Sequence, residues 1–445
     1  MAFGYITSVV VVMVVATVQS YSPETWMTDL HPLISNLTLL DITLPGTHDS
    51  MTWDLSTTVS DNANDLPPWL SYLLHDLGNV ADAGEFIHQQ AKSQNLNMTE
   101  QLNAGIRFID FRVTDTASSK NSSAAPYQWY CLHLVETKHE AITYLESAKV
   151  WLDSHPMEVL TMWISHHGSP CSNHYHSDPA TQQAFFQQVT ALFSDLVFNT
   201  SEGGVNETTI GTLIAKNQRL VLYVSSYYNM TQGSPLATDA CLIDNQLGDS
   251  SSDESHSRPF LLSTFADAHR RRAQDKANNR LFLLSMSGGA PKEQMVSQFW
   301  LTYLPHIAHN KTLEQCAHAY RIPGMDNWCP ATLRASVQLA NYYNQYPLEQ
   351  TILNASMELP GAIYINAVGD KGTIRTGLEI TGTTRAYAYV DTVVLFNALK
   401  PGGCAASNST VCQSLIPLIE RRRAMNPLTL WEDVDHGRHV HWPPN

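Results

Sequence analysis

The feature that most constrains how this chain can fold is a recurrence of short, almost continuously apolar runs separated by helical patterns. The runs are Leu40–Leu44, Arg107–Val113, Trp129–Leu134, Val159–Ile164, Arg219–Val224, Leu281–Ser285 and Ala362–Ile365. Strands that are apolar at nearly every position, instead of at alternate ones, are buried on both faces, as in a parallel sheet covered by helices. Between them, Phe185, Val189, Leu192 and Leu196 share one helical face, and Asp178-Pro179 supplies an N-cap followed by Pro at the first helical position. Ile142, Leu145, Ala148 and Leu152 form a second such face that stops before Pro156. The alternation predicts an α/β fold with a parallel sheet, either an open doubly wound sheet or a closed barrel. The placement of the motifs below favours a distorted TIM-type β/α barrel with long loops, in a single domain.

In either architecture chemistry belongs at the C-terminal ends of the strands. After the first run comes Leu44-Pro45-Gly46-Thr47-His48-Asp49-Ser50, where Pro and Gly predict a turn that delivers His48 and Asp49 to the strand exit. In the second run, Gly105-Ile106-Arg107-Phe108-Ile109-Asp110-Phe111-Arg112, period-2 alternation puts Asp110 and Arg112 on one face, opposite Arg107 and Ile109. Two ionised groups aimed into a barrel interior are costly unless they pair with each other or with a bound anion. The third run, Trp129-Tyr130-Cys131-Leu132-His133, again ends in a histidine. Each residue alone has a structural explanation, a satisfied histidine or an Asp–Arg ion pair. Together, at three successive strand exits, they offer a base, an acid and a phosphate clamp, the minimum for cleaving a phosphodiester without metal.

These motifs resemble the X-domain of phosphatidylinositol-specific phospholipases C, particularly the bacterial-type and animal X-domain-containing forms. Leu44 to Ser50 and Gly105 to Arg112 carry the resemblance, with Cys131-Leu132-His133 as a weaker third motif and an insertion between Arg112 and His133. The resemblance implies that His48 deprotonates the inositol 2-hydroxyl, that His133 protonates the departing diacylglycerol oxygen, and that Arg112, fixed by Asp110 and Asp49, holds the phosphoryl oxygens. His139 and His166 stand next as candidates for the acid. Arg112 and Asp49 match the metal-independent branch, so neither a metal nor a cofactor is expected. Asn366 falls where bacterial-type members carry an orienting aspartate, and Asp370 follows it. Ser165, His166, Ser225 and Tyr227 occupy the positions of head-group contacts, with fewer cations than bacterial members have there. Trp69, Leu70, Leu73 and Leu74 match a short apolar helix that dips into the lipid interface, a peripheral membrane contact through an apolar rim. Three readings stay open: a phosphodiesterase acting on a phosphoinositide or glycosyl-phosphatidylinositol (GPI) lipid, a non-catalytic barrel binding an inositol phosphate or glycan, and a different barrel phosphodiesterase.

Composition narrows the setting. The 445 residues are 43% hydrophobic and 15% charged, which excludes a disordered, collagenous or coiled-coil chain. A net charge of −15 argues against nucleic acid or a strongly anionic membrane as partner and leaves neutral lipid interfaces open. The apolar stretch Val9 to Val18, followed by small residues near Ser20, predicts a signal peptide over residues 1–20. The barrel is then expected over 21–400 and a C-terminal extension over 401–445, polar from Arg421 onward. Asn36, Asn97, Asn121, Asn199, Asn206, Asn229, Asn310, Asn354 and Asn408 each begin an Asn-X-Ser/Thr triplet, which predicts a secreted, extracellular glycoprotein. Among seven cysteines, Cys316/Cys329 and Cys404/Cys412 are the nearest pairs for disulfides, and an odd one is left over. Oligomeric state and the choice between lipid and GPI substrate are not legible.

Overall fold

A computed structural model describes residues 22–59, 83–116, 128–166, 177–224, 231–247 and 271–285, except 232 and 273, with strand 362–365 and short pieces between 379 and 412. The expected signal peptide and most of the C-terminal extension lie outside the described residues.

The first five strands are β1 (Leu44–Thr47), β2 (Leu55–Val59), β3 (Phe108–Thr116), β4 (Gln128–His133) and β5 (Val135–Glu140). They are followed by β6 (Leu160–Ser165), β7 (Leu220–Val224), β8 (Thr238–Asp239), β9 (Ile243–Leu247), β10 (Leu281–Ser285) and β11 (Ala362–Ile365). Eight of them form a parallel ladder in the order β8, β7, β6, β3, β1, β11, β10, β9. Only the 3-10 turn Ala240–Leu242 separates β8 from β9 in the chain. Among the described residues no ladder joins these two edge strands, so the sheet is mixed α/β with eight parallel strands, and closure into a barrel is not seen.

The described helices include α1 (Trp26–Ile34), α2 (Ala83–Ala91), α3 (Met98–Asn103), α4 (Ala141–Ser154), α5 (Pro179–Phe193) and α6 (Ile210–Ala215). Helix α4 buries Ala141, Tyr144, Leu145, Ala148, Trp151 and Leu152, which include Leu145, Ala148 and Leu152 of the expected face, while Ile142 is half-buried. Helix α5 starts where Asp178 accepts hydrogen bonds from Ala180 and Thr181 N–H, with Pro179 as its first residue. Among the described residues no helix is long and apolar enough to cross a membrane.

Three expectations shift. The run Leu40–Leu44 is not the first strand, because Asp41 turns the chain beforehand. Its carboxylate accepts from Thr38 N and Oγ1 at 2.8 Å each, so β1 begins only at Leu44. Pro45 and Gly46 therefore lie within β1, and the turn comes later, at Asp49 with φ 48°. Trp129–Leu134 is not a third parallel strand. β3 outruns the parallel sheet, and its Val113–Thr116 half pairs antiparallel with β4, which reverses at Leu134 (φ 64°) into β5 and then pairs onward to β2. This antiparallel ribbon buries Trp129 and Cys131, which explains an apolar run outside the parallel layer.

Arg107, the residue just before β3, is fully buried and forms a two-nitrogen contact with Glu158, at 3.0 Å from Nε and 2.8 Å from Nη2. Glu158 also accepts from Thr28 N–H at 2.8 Å, tying α1 to the strand entrance. Breaking a buried pair by removing one partner leaves an uncompensated charge and costs ~3–5 kcal/mol. Arg107→Met is therefore expected to lose about that much in urea unfolding, and Arg107→Met with Glu158→Gln to recover part of it.

Cys404 and Cys412 are joined as a disulfide with Cα atoms 5.0 Å apart, while Cys316 and Cys329 lie outside the described residues. Cys131 is a buried free thiol, and burial pushes its pKa up. Of the glycan acceptors, Asn36 and Asn206 are exposed and Asn97 and Asn199 half-buried, and the other five lie outside the described residues.

Candidate active site

The site assembles where the loop after β1 meets the middle of β3. Asp49 holds a left-handed backbone, which Asp tolerates better than most residues because its short polar side chain can bond locally. The turn is stapled to β3 at Asp110. Ser50 N–H donates to the Asp110 carbonyl at 3.0 Å, Asp110 N–H donates to Ser50 Oγ at 3.0 Å, and Asp49 N–H donates to Asp110 Oδ2 at 3.1 Å. Asp49 and Ser50, the two residues after His48, are thereby registered against one strand position.

Arg112, two residues along β3 on the same face, lies at the centre. Its Nη1 is 2.7 Å from Asp49 Oδ1, its Nη2 2.9 Å from Asp110 Oδ2, and its Nε 3.1 Å from that same oxygen. Nη2 also lies 2.8 Å from His48 Nε2. A guanidinium only donates, so Nε2 is the accepting nitrogen and the His48 proton sits on Nδ1, which faces Asp49 Oδ2 at 3.2 Å. His133, the last residue of β4, brings its Nδ1 to 3.6 Å from that same oxygen and to 2.6 Å from the Ala91 carbonyl. Two imidazoles thus flank a single carboxylate oxygen.

Exposure orders the cluster. The Asp49 and Asp110 side chains are 0% exposed, whereas His48, Arg112 and His133 are 14%, 12% and 26% exposed. A ligand approaching from solvent meets imidazole and guanidinium first, with the carboxylates behind them. Burial holds the His48 pKa below its usual 6.5, with Asp49 pulling upward and Arg112 downward again. His48, Asp49 and Asp110 offer three ligand atoms within 4.8 Å of one another, the set a cation would need. Those groups already surround the Arg112 guanidinium, whose charge opposes a divalent ion at the same spot.

The other expected site residues divide in two. Ser165 ends β6 in register with Arg112 and is buried. His166 is buried as well, its Nδ1 2.9 Å from the Val113 carbonyl. His139 belongs to a separate cluster, 2.6 Å from Asp54 Oδ2, the oxygen to which Tyr144 Oη donates at 2.8 Å. Ser225, Tyr227, Asn366, Asp370, Trp69, Leu70, Leu73 and Leu74 lie outside the described residues. The sequence reading missed Gln94, Ser93 and Ala91, which touch the backbone of His48 or the ring of His133. No motif marks them, since their partners are more than forty residues away in the chain.

Part of the chain is similar to known proteins. The PI-PLC X family model (PI-PLC X 1) matches residues 79–239, a span that holds Asp110, Arg112 and His133 and begins after His48 and Asp49. Over that span the sequence is similar to the PI-PLC X pattern. It is 30% identical over 139 residues to PI-PLC X domain-containing protein 1 of Mus musculus, covering 31% of this chain and 37% of that protein. It is 25% identical over 233 residues to the 1-phosphatidylinositol phosphodiesterase of Staphylococcus aureus (strain Newman), covering 50% of this chain and 59% of that one. These matches span less than two-thirds of either relative. Among solved structures, the phosphatidylinositol-specific phospholipase C from Listeria monocytogenes superposes with a TM-score of 0.47 at 16% identity, covering 84% of this chain and 98% of that one.

Proposed function

We propose that this protein is a secreted phosphoric diester hydrolase that cleaves phosphatidylinositol or a glycosyl-phosphatidylinositol into diacylglycerol and a cyclic inositol phosphate. The observation that carries the reading is the Arg112 guanidinium held between Asp49 and Asp110 and touching His48, with His133 on the far side of Asp49. Similarity to the staphylococcal phosphodiesterase supports the reaction class. Barrel closure between β8 and β9 belongs to the same proposal.

In this reading, the substrate phosphate competes for Arg112 Nη2 and draws it from His48 Nε2. The released lone pair takes the proton of the inositol 2-hydroxyl, and that oxygen forms a new bond to phosphorus. The bond from phosphorus to the diacylglycerol oxygen breaks, and the oxygen leaves with a proton from His133. An internal nucleophile avoids the entropy of capturing a water, and Arg offers a fork of donors to the phosphoryl oxygens. Asp49 and Asp110 keep their hold on the guanidinium as Nη2 turns from His48 to the phosphate, so the transition-state charge meets an oriented donor. Arg112 performs the charge stabilisation that a divalent ion would otherwise supply.

The test is substrate selection on vesicles of phosphatidylinositol, phosphatidylcholine or sphingomyelin, following diacylglycerol and ceramide release by mass spectrometry. Diacylglycerol from phosphatidylinositol alone is the expected result. Equal release from phosphatidylcholine, or ceramide from sphingomyelin, contradicts the inositol reading, and binding with no release from any lipid contradicts catalysis.

A further inference from the structure

We propose that Gln94 is a positioning residue for the reaction and that the segment Ala91 to Gln94 sets the relative placement of the two histidines. The inference rests on reading His48 as base and His133 as acid. Helix α2 is anchored on β2, where His88 Nδ1 lies 3.0 Å from the Ser56 carbonyl. Its last carbonyl, Ala91 O, has no partner within the helix ladder and meets His133 Nδ1 at 2.6 Å. Three residues on, the Gln94 amide donates to the His48 carbonyl at 2.8 Å, with Ser93 Oγ 3.5 Å from the same oxygen. Thr52 Oγ1, one turn past His48, accepts from Gln94 N–H at 3.0 Å and from Ser93 N–H at 3.2 Å, and donates to the Asp49 carbonyl at 2.8 Å. Gln94 and Ser93 are buried. The two imidazoles come from different parts of the sheet, one after the parallel strand β1 and one at the end of the antiparallel strand β4. This short segment touches both. It closes a mechanical circuit, because β2 pairs with β5, β5 with β4, and β4 carries His133. Gln94 does not touch the reacting atoms. It acts by fixing the peptide that orients His48 relative to an acid gripped by the same segment.

The experiment uses the full chain with Gln94→Leu, which keeps the bulk and removes the donor, and Gln94→Met as a second variant with the same loss. Each is measured for kcat and KM on phosphatidylinositol vesicles, for cooperative melting, and for the ring-proton NMR resonances of His48 and His133. A misplacement of catalytic groups on the ångström scale costs up to ~100-fold. The expected result is a fall in kcat of about ten- to a hundred-fold per folded molecule with KM little changed, and movement of both histidine resonances. Unchanged kcat with unmoved resonances overturns the proposal. So does loss of cooperative melting in both variants, which would make Gln94 a residue of the fold alone. Wild-type protein that fails to turn over phosphatidylinositol contradicts the proposed function instead, and the histidine resonances then decide the positioning role by themselves.

Discussion

Arg112→Lys is expected to lower kcat on phosphatidylinositol by about a hundred-fold while the protein stays folded. The side chain engages its neighbours through all three guanidinium nitrogens, with Asp49 on Nη1, Asp110 on Nη2 and Nε, and His48 on Nη2. A lysine ammonium keeps the charge near the buried carboxylates but replaces a planar fork with one point, so it cannot grip two carboxylates and a phosphoryl oxygen together. Losing one preorganised donor to a developing oxyanion costs ~3–4 kcal/mol, the source of that hundred-fold or more. If Arg112 serves only to neutralise Asp49 and Asp110, the substitution lowers the melting temperature and leaves kcat per folded molecule intact. Steady-state rates normalised to the folded fraction separate the two.

His48→Ala and His133→Ala are each expected to reduce turnover by ~10²–10⁴-fold, the range that one general acid or base supplies. Both sit at strand ends and remain partly exposed, so neither truncation opens a hole in the core. The pH profile carries a sharper test. His48 acts as a base only when neutral, and burial together with Arg112 lowers its pKa, so activity persists below pH 6.5 before the acid limb falls. A bound phosphate brings negative charge and withdraws Arg112 from Nε2, and both changes raise that pKa. The acid limb of kcat, which reports the complex, should therefore lie at higher pH than that of kcat/KM, which reports the free protein. Coincident limbs, or an acid limb above that of free imidazole in kcat/KM, contradict the assignment of His48 as base.

How much of this was legible in the sequence depends on the range of the contact. Asp110 and Arg112 could be paired from their spacing alone, because a strand fixes residues two apart on one face, and they bond as expected. Helix α4 and the start of α5 are legible for the same reason, since capping and periodicity act within a few residues, but α5 stops at Phe193 and Leu196, expected on its face, falls in the 3-10 turn Ser194–Leu196. The antiparallel ribbon was not. Trp129 to Leu134 reads as a buried strand in either setting, and only the surplus length of β3 decides that it runs antiparallel. Strands β8 and β9 escaped because Thr238–Asp239 is two residues long and Ile243-Asp244-Asn245-Gln246-Leu247 is largely polar. Pro45 and Gly46 draw the expected turn onto themselves because those residues usually break strands. Here the Pro45 carbonyl is instead satisfied by Arg107 N–H at 2.8 Å, and the reversal falls to Asp49. Gln94 carries no local signal at all, since its value lies in reaching across to His48.

The central claim is that His48, His133 and Arg112 carry out an internal displacement at phosphorus without a metal ion. Its most direct test is phosphorus NMR of the water-soluble product from phosphatidylinositol vesicles in excess chelator. The account predicts the downfield resonance of a five-membered cyclic inositol phosphodiester, formed before any linear monoester and at the same rate with or without added calcium. A linear inositol phosphate as the first product, or activity lost in chelator and restored by calcium, would contradict it.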